Sequence, residues 1–172
     1  MVLRYNFIMN TPVSYFRSFI FGVEDSLVST VGLLSGIAIA GVPKETIFLT
    51  GVILIFVEAI SMAAGSFLSE YSGESYEGGT EKPTRGNFIS GVIMFFSYFG
   101  AGFIPLTPYI ILPVEKGMTY SIGSSLAALF VLGLIGAKIS NTKIFRNSVR
   151  MMAIGGIAIG VGLIAGIFLT KI

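Results

Sequence analysis

The sequence contains neither cysteine nor histidine, and only 12% of its 172 residues are charged. The lack of cysteine excludes disulfide bonds, thiol nucleophiles and thiolate zinc sites, and the lack of histidine removes imidazole ligands and the most common general base. Any metal must therefore be bound by carboxylate, carbonyl, hydroxyl or methionine sulfur atoms. We expect no resident cofactor, and we do not expect an enzyme, because no serine lies in a recognisable nucleophile motif.

Apolar residues dominate the chain instead. They make up 53% of the sequence, and the mean hydropathy is +0.87, whereas soluble domains are about one quarter charged. This composition predicts an all-α, multi-pass integral membrane protein with a single domain, 1–172, in contact with the lipid bilayer. The net charge of +2 includes no basic tract, so we expect no nucleic-acid partner. The N-terminus also lacks the long apolar core of a secretory signal.

Five apolar segments predict five transmembrane helices. Their approximate ranges are 19–41, 46–71, 88–112, 118–138 and 150–170. Residues 1–18 are expected to form a short helix in the membrane interface, or a disordered start. A turn is expected at 41–45, and the two prolines of 104–108 predict a kink or an unwound end of span three.

The basic residues predict how the chain crosses the membrane. Eight of the 11 Lys and Arg residues fall in the N-terminal segment, the loop after span two and the loop after span four, and three fall on the other side. Positive residues are retained on the cytoplasmic side. We therefore expect the N-terminus and the short acidic loop 72–87 to be cytoplasmic, and the C-terminus to lie on the opposite side.

Span one carries two adjacent carboxylates, Glu24 and Asp25, near its start. On a helix, Asp25, Ser29, Gly32 and Gly36 form one narrow face of small and polar residues. The Gly-x-x-x-Gly spacing allows two membrane helices to approach closely, so this face is predicted to pack against another helix and to form the dimer contact. Alternatively, the two carboxylates are only a charge pair at the water interface.

Span two carries Glu58 near its middle, where a charge is costly and is usually retained for function. Glu58, Met62 and Ser69 fall on one helical face with other small residues. Carboxylate oxygens bind hard divalent cations, and a thioether adds a preference for transition metals. Because a carboxylate must lose its proton to bind a metal, metal and proton occupancy compete, as in a proton-coupled exchanger. Alternatively, Met62 only packs in the core of the protein.

The loop after span two is rich in acidic residues. If the helix continues to Gly78-Gly79, then Glu70, Glu74 and Glu77 line one side of it. We predict that these three carboxylates collect cations at the cytoplasmic mouth of the metal path. The alternative is an ordinary solvated surface.

Two long segments resemble signatures of the vacuolar iron transporter family. Residues 17–30, RSFIFGVEDSLVST, are similar to the first-span pattern F-G-x-x-D-G-L-V-T-T, and residues 58–69, EAISMAAGSFLS, are similar to the second-span pattern D-A-x-S-M-A-x-G-E-Y-L-S. The segment 104–108, IPLTP, resembles the third span of the family. The likeness is strong over 20–112 and weaker beyond.

The resemblance implies a five-span homodimer, joined through its first spans, that moves Fe²⁺ and often Mn²⁺ out of the cytosol in exchange for protons. It implies that Asp25 and Met62 line the metal path. The membrane would be the cell membrane in a prokaryote and a vacuolar or other organelle membrane in a eukaryote. Two other functions stay open from the residues alone, namely a passive divalent-cation channel and a membrane assembly protein that transports nothing.

The sequence departs from the family pattern at several positions. Ser26 replaces a glycine, Ser66 replaces a frequent glutamate, and Glu58 replaces an aspartate. The chain also has a short loop where the plant members carry a cytoplasmic metal-binding insertion. It is therefore a short form, in which the acidic residues after span two are expected to act as a reduced version of that insertion.

Overall fold

A computed structural model describes residues 2–76 and 82–169 of the chain. It contains five α-helices, and the described residues form no strand. The helices are α1 (Val2–Ile39), α2 (Lys44–Tyr76), α3 (Arg85–Ile111), α4 (Val114–Ile139) and α5 (Ile144–Leu169). All five are long and apolar enough to cross a membrane. This confirms the predicted all-α membrane fold with five transmembrane helices.

The first helix differs from its expected form. Helix α1 runs without interruption from Val2 to Ile39, so the described part of 1–18 forms neither a separate interfacial helix nor a disordered start. No glycine precedes Gly22, and Pro12 is the only proline within the helix. The segment therefore contains few signals that would end a helix. The apolar stretch long enough to cross the membrane is Pro12–Ile39.

The turns between helices follow from local backbone chemistry. Gly41 has φ = +75°, the left-handed conformation that ends a helix at low cost in glycine. The following amide of Val42 donates back to the Ile37 carbonyl at 3.4 Å. Asn141 has φ = 51° after α4, and the amide of Thr142 donates to the Ala137 carbonyl at 2.9 Å. Both helices thus end in the same type of cap.

Helix α3 does not unwind at its prolines. It continues through Pro105 and Pro108 to Ile111, contrary to the unwound end that we expected as one of two outcomes. The Ser121 hydroxyl of α4 donates to the Pro105 carbonyl at 2.7 Å, and Lys44 Nζ donates to the Ile110 carbonyl at 2.9 Å. These two bonds connect the proline-containing end of α3 to the neighbouring helices α4 and α2.

Helix α1 lies at the centre of the bundle and contacts each of the other four helices. Large apolar side chains on α2 and α5, such as Ile53 and Ile157, are more than half exposed, as expected for surfaces that face lipid. A fully buried apolar cluster closes the half of the bundle near the end of α1. It consists of Leu34, Ile47, Ile55, Leu106 and Tyr109.

Candidate metal path

The start of the candidate path is an ion pair between α1 and α2. The Arg17 guanidinium binds the Glu70 carboxylate, and the Ser14 hydroxyl donates to the same carboxylate oxygen. The Glu70 side chain is only 18% exposed, whereas that of Arg17 is 69% exposed. Glu70 is therefore held at the end of the bundle where α1 begins. The more exposed Arg17 side chain covers it on the solvent side.

A cavity of about 460 Å³ opens directly beyond this ion pair. The hydroxyls of Ser18 and Ser66 lie 3.2 Å apart across it. Its wall also contains two thioethers, Met62 from α2 and Met94 from α3. The structure therefore places the predicted ligands Met62 and Glu70 around one cavity, with three helices contributing to its wall.

Met94 is a potential ligand that the sequence analysis missed. Its sulfur would lie 3.0 Å from a Cβ at Gly22, so the glycine of the first-span motif allows the thioether to approach α1. The sequence does show a methionine within this apolar span, but a methionine in such a position usually only packs in the core. Only the position of α3 relative to α1 identifies it.

Asp25 and Glu58 lie deeper, about two helical turns beyond the Ser18–Ser66 contact. Asp25 is seven residues further along α1, and Glu58 is eight residues back along the antiparallel α2. Both side chains are partly buried, and their carboxylates interact electrostatically with each other. The structure therefore places the two predicted carboxylates at the same depth.

Tyr98 of α3 lies at the depth of these carboxylates, because its backbone carbonyl binds Ser26, the residue that follows Asp25. It is fully buried, and it interacts electrostatically with both Asp25 and Glu58. Its hydroxyl lies 2.7 Å from that of Ser29, and its backbone carbonyl accepts a hydrogen bond of 2.6 Å from Ser26. The sequence analysis missed this residue, although a tyrosine in the middle of an apolar span needs a hydrogen-bond partner.

The serine that replaces the family glycine at position 26 is accommodated without unwinding. Helix α1 is continuous through Ser26, and its hydroxyl oxygen would lie 3.0 Å from a Cβ at Gly102. The glycine of α3 therefore makes room for the added side chain, and the Tyr98 carbonyl accepts a hydrogen bond from its hydroxyl.

The acidic residues after span two do not act as one group in the structure. Glu70 lines the cavity, but Glu74 accepts a hydrogen bond of 3.4 Å from Thr84. Thr84 is the N-cap of α3, where a negative charge is favourable. Glu77 lies outside the described residues. The contact of Glu74 with the start of α3 gives it a structural role beside its predicted role at the mouth.

Glu24 lies on a different side of α1 from Asp25. It lines a second cavity, of about 300 Å³, together with Phe16, Ile154 and Arg150. Consecutive residues on a helix point about 100° apart. This geometry separates the two adjacent carboxylates, so the structure gives no support for treating them as one site.

The small-residue face of α1 packs against α5 of the same chain. A Cβ at Gly162 would lie 2.8 Å from the Gly32 carbonyl oxygen, and a Cβ at Gly36 would lie 3.1 Å from the Gly162 oxygen. Ser29 faces α3 instead, through Tyr98. An intramolecular partner therefore already packs against the glycines that we predicted to form the dimer contact. The dimer itself stays a prediction.

The oxygen and sulfur atoms of these side chains can bind a cation, but they do not surround it at a single point. Across the part of the chain that the structure describes, no three acidic side chains converge on one point. The carboxylates and thioethers are instead distributed along α1, α2 and α3, from Glu70 past Met62 and Met94 to Asp25 and Glu58. Oxygen ligands bind Fe²⁺ and Mn²⁺ as well as harder cations, whereas thioether sulfur favours transition metals.

The chain is similar to known proteins of one family. A profile of the VIT family matches residues 16–85 and 75–167. Vacuolar iron transporter homolog 1 of Arabidopsis thaliana is 27% identical over 160 residues, covering 86% of this chain and 79% of its own length. Vacuolar iron transporter homolog 4 of the same plant is 28% identical over 160 residues, covering 86% and 80%.

Vacuolar iron transporter homolog 5 of Oryza sativa subsp. japonica is 26% identical over 161 residues, covering 86% of this chain and 77% of its own length. The matched ranges include both motifs, the cavity-lining residues of α1, α2 and α3, all of α4 and most of α5. The motifs, the five-helix fold and the family match together confirm the resemblance drawn from the sequence. This chain belongs to the VIT family.

Proposed function

We propose that this protein moves Fe²⁺, Mn²⁺ or both out of the cytosol across a membrane, in exchange for protons. One observation carries the proposal. Glu70 and Met62 line the cavity between α1 and α2. Asp25 and Glu58 follow about one helical turn beyond its inner lining residues on the same two helices. A charge in this part of a membrane helix is costly and is usually retained for the movement of ions or protons.

The distribution of the ligands along the helices suits a metal ion that passes through the protein rather than one that stays bound in it. An ion that crosses a membrane must bind strongly enough to enter and weakly enough to leave. Glu70 and Met62 are two helical turns apart on α2, and Glu58 is one turn further. A cation that enters at Glu70 would therefore exchange partners stepwise, from carboxylate and hydroxyl oxygens to thioether sulfur and then to the paired carboxylates.

Proton exchange follows from the same two carboxylates. Asp25 and Glu58 repel each other when both are ionised, and this repulsion is strong where water is scarce. A divalent cation between them removes the repulsion, and so does a proton on one of them. Binding of the metal would therefore release protons, and departure of the metal would take them up again.

The plant relatives are named as vacuolar iron transporter homologs, which supports iron as a substrate.

We propose that the chain spans the cell membrane of a prokaryote or an organelle membrane of a eukaryote. Its N-terminus would be cytoplasmic and its C-terminus on the opposite side, because Arg17, Arg85, Arg146 and Arg150 lie at the same end of the bundle.

The function can be tested with purified protein in liposomes. An acidic interior should drive uptake of Fe²⁺ and Mn²⁺ against their concentration gradients, with slower uptake of Ca²⁺ and Mg²⁺. If the metals move only down their gradients and the pH gradient has no effect, the protein is a passive channel. If no metal enters under either condition, transport is rejected in favour of an assembly role.

We further propose a homodimer that covers the open side of this cavity. Phe21 on α1, and Ser61, Gly65 and Ser69 on α2, are exposed there, and polar groups exposed to lipid are unfavourable. Because the chain lacks cysteine, Gly65→Cys can be cross-linked selectively. We expect disulfide-linked dimers of this variant, whereas Ile157→Cys on the lipid-facing surface of α5 should stay monomeric on oxidation. The reverse pattern would move the interface to α5.

Orientation can be tested in the same background. Ser75→Cys lies at the end of α2 and Thr119→Cys near the start of α4, and both positions are exposed. In intact cells, a membrane-impermeant thiol reagent should label only the cysteine at 119 if the protein resides in the cell membrane with its N-terminus inside. Labelling at 75 alone would invert the topology.

A further inference from the structure

The candidate path is open at one end of the bundle and closed at the other. The cavity that begins at Glu70 reaches Met62 and Met94, and Asp25 and Glu58 follow at the next level. Beyond them, the interior is filled by the buried cluster that contains Leu34, Ile55 and Leu106. A cation bound between the two carboxylates therefore meets a packed apolar cluster ahead of it, and it can continue in that direction only if the helices move.

Tyr98 lies at the boundary between these two halves. Ser29, whose hydroxyl is 2.7 Å from that of Tyr98, is one helical turn beyond Asp25 on α1. The ring of Tyr98 is fully buried, and its hydroxyl lies at Ser29, between Asp25 and the cluster residue Leu34 along α1. Tyr98 is thus a bulky side chain of α3 that lies between the level of the carboxylates and the buried cluster.

The contact between Tyr98 and α1 is polar and can be broken. The side chain holds Ser29, and the backbone carbonyl of the same residue holds Ser26 at 2.6 Å. These hydrogen bonds connect α1 and α3 directly beside Asp25. Buried hydrogen bonds can exchange partners during a conformational change, whereas a packed apolar core resists gradual deformation.

We propose that Tyr98 is an inner gate of the metal path, which is closed by its hydrogen bond to Ser29. The inference rests on the proposed function and adds to it a residue that separates the two sides of the membrane. In the closed state, Tyr98 blocks passage beyond Asp25 and Glu58. In the open state, the Tyr98–Ser29 bond is broken and α1 moves away from α3, so that the cation can continue.

This role predicts a specific effect of Tyr98→Phe. The substitution conserves the ring and removes only the hydroxyl, so it weakens the closed state relative to the open one. A neutral buried hydrogen bond shifts such an equilibrium by roughly threefold to tenfold. Flux of Mn²⁺ down its gradient, without a pH gradient, should rise by about that factor, and pH-driven accumulation should fall because metal leaks back.

Ser29→Ala removes the same bond from the other helix and should have the same two effects. The double variant should leak no more than either single variant, because all three lack one and the same contact. Tyr120→Phe is the control, since Tyr120 is an exposed tyrosine of α4 that lies outside both the path and the buried cluster. It should change neither flux nor accumulation. Melting temperatures of all variants show whether they are folded.

The gate would be overturned if Tyr98→Phe and Ser29→Ala accumulate and leak Mn²⁺ as the unmodified protein does. It would also be overturned if both variants lose downhill and uphill movement together, as expected for a role only in positioning Asp25. If Tyr98→Phe does not fold, Ser29→Ala alone decides between these outcomes. Failure of the proposed function is separate, because the unmodified protein would then show no pH-driven accumulation.

Discussion

The Ser26 hydroxyl lies 2.6 Å from the backbone carbonyl of Tyr98 and donates a hydrogen bond to it. Ser26 directly follows Asp25, and Tyr98 also contacts Ser29, so two residues that follow the carboxylate on α1 are bound to a single residue of α3. The polar face of α1 is therefore fixed relative to α3 at the depth where the metal path closes. The position where the family usually has glycine thus contributes an additional helix contact here.

Replacement of Asp25 by asparagine should nearly abolish metal transport. The amide keeps the size of the side chain but removes the anionic ligand and the exchangeable proton. Initial rates of Fe²⁺ uptake into liposomes with an acidic interior provide the measurement. Glu45→Gln is a suitable control, because Glu45 is exposed at the start of α2 on the opposite side of the bundle. Normal uptake by Asp25→Asn would remove Asp25 from the path.

Replacement of Met62 by leucine should change selectivity more than stability. The substitution nearly conserves volume and apolar character, but it removes the sulfur from the cavity. We expect the preference for Fe²⁺ over Ca²⁺ to fall by roughly tenfold, which corresponds to ~1.4 kcal/mol. Competition between the two cations in the uptake assay measures this preference. Met118→Leu, in the buried cluster at the closed end, should not alter it.

Arg17 and Glu70 should have opposite effects on apparent metal affinity. Glu70→Gln removes a carboxylate from the cavity mouth and should raise the half-saturating metal concentration by about threefold to tenfold, with little change in maximal rate. Arg17→Gln removes the cation that occupies Glu70 and should lower that concentration. Arg146→Gln, at the same end of the bundle but on α5, is the charge-matched control. Equal effects of both cavity variants would show that the ion pair only joins the helices.

The glycine contact between α1 and α5 should be needed for folding. A Cβ at Gly162 would lie 2.8 Å from the Gly32 carbonyl oxygen, whereas a Cβ at Gly160 meets no atom within 4 Å. Gly162→Ala should therefore destabilise the protein by about 1–3 kcal/mol and lower its melting temperature by roughly 2–12 °C. Gly160→Ala should leave the melting temperature unchanged or raise it. Equal melting temperatures would contradict the close approach of the two helices.

Hydrophobicity by itself determined the fold class and the number of helices. An apolar segment of about 20 residues must form a helix in lipid, because every backbone polar group needs an internal partner. The five predicted spans therefore match the five helices, although the ends differ by several residues. Helix ends depend on interactions that hydropathy does not contain, such as the backbone caps at Gly41 and Asn141.

The sequence also identified the chemical character of the path. Asp25, Glu58 and Met62 stand out because charges and paired polar faces are rare in apolar helices, and the motifs around them carry the family resemblance. Helical periodicity states which residues share a face, but it does not state which helix the face contacts. The glycine face of α1 illustrates this limit, because a second copy and α5 of the same chain are equivalent partners for a Gly-x-x-x-Gly pattern.

Only the tertiary structure decided which residues from different helices meet. It placed Met94 and Tyr98 of α3 beside the path, paired Glu70 with Arg17, brought Glu74 into contact with Thr84 and placed Glu24 at a second cavity. The physical reason is that these contacts depend on the rotation and depth of each helix relative to its neighbours. The packing of small residues and a few buried hydrogen bonds determine that rotation and depth. The sequence of one helix alone does not show which contacts it makes with its neighbours.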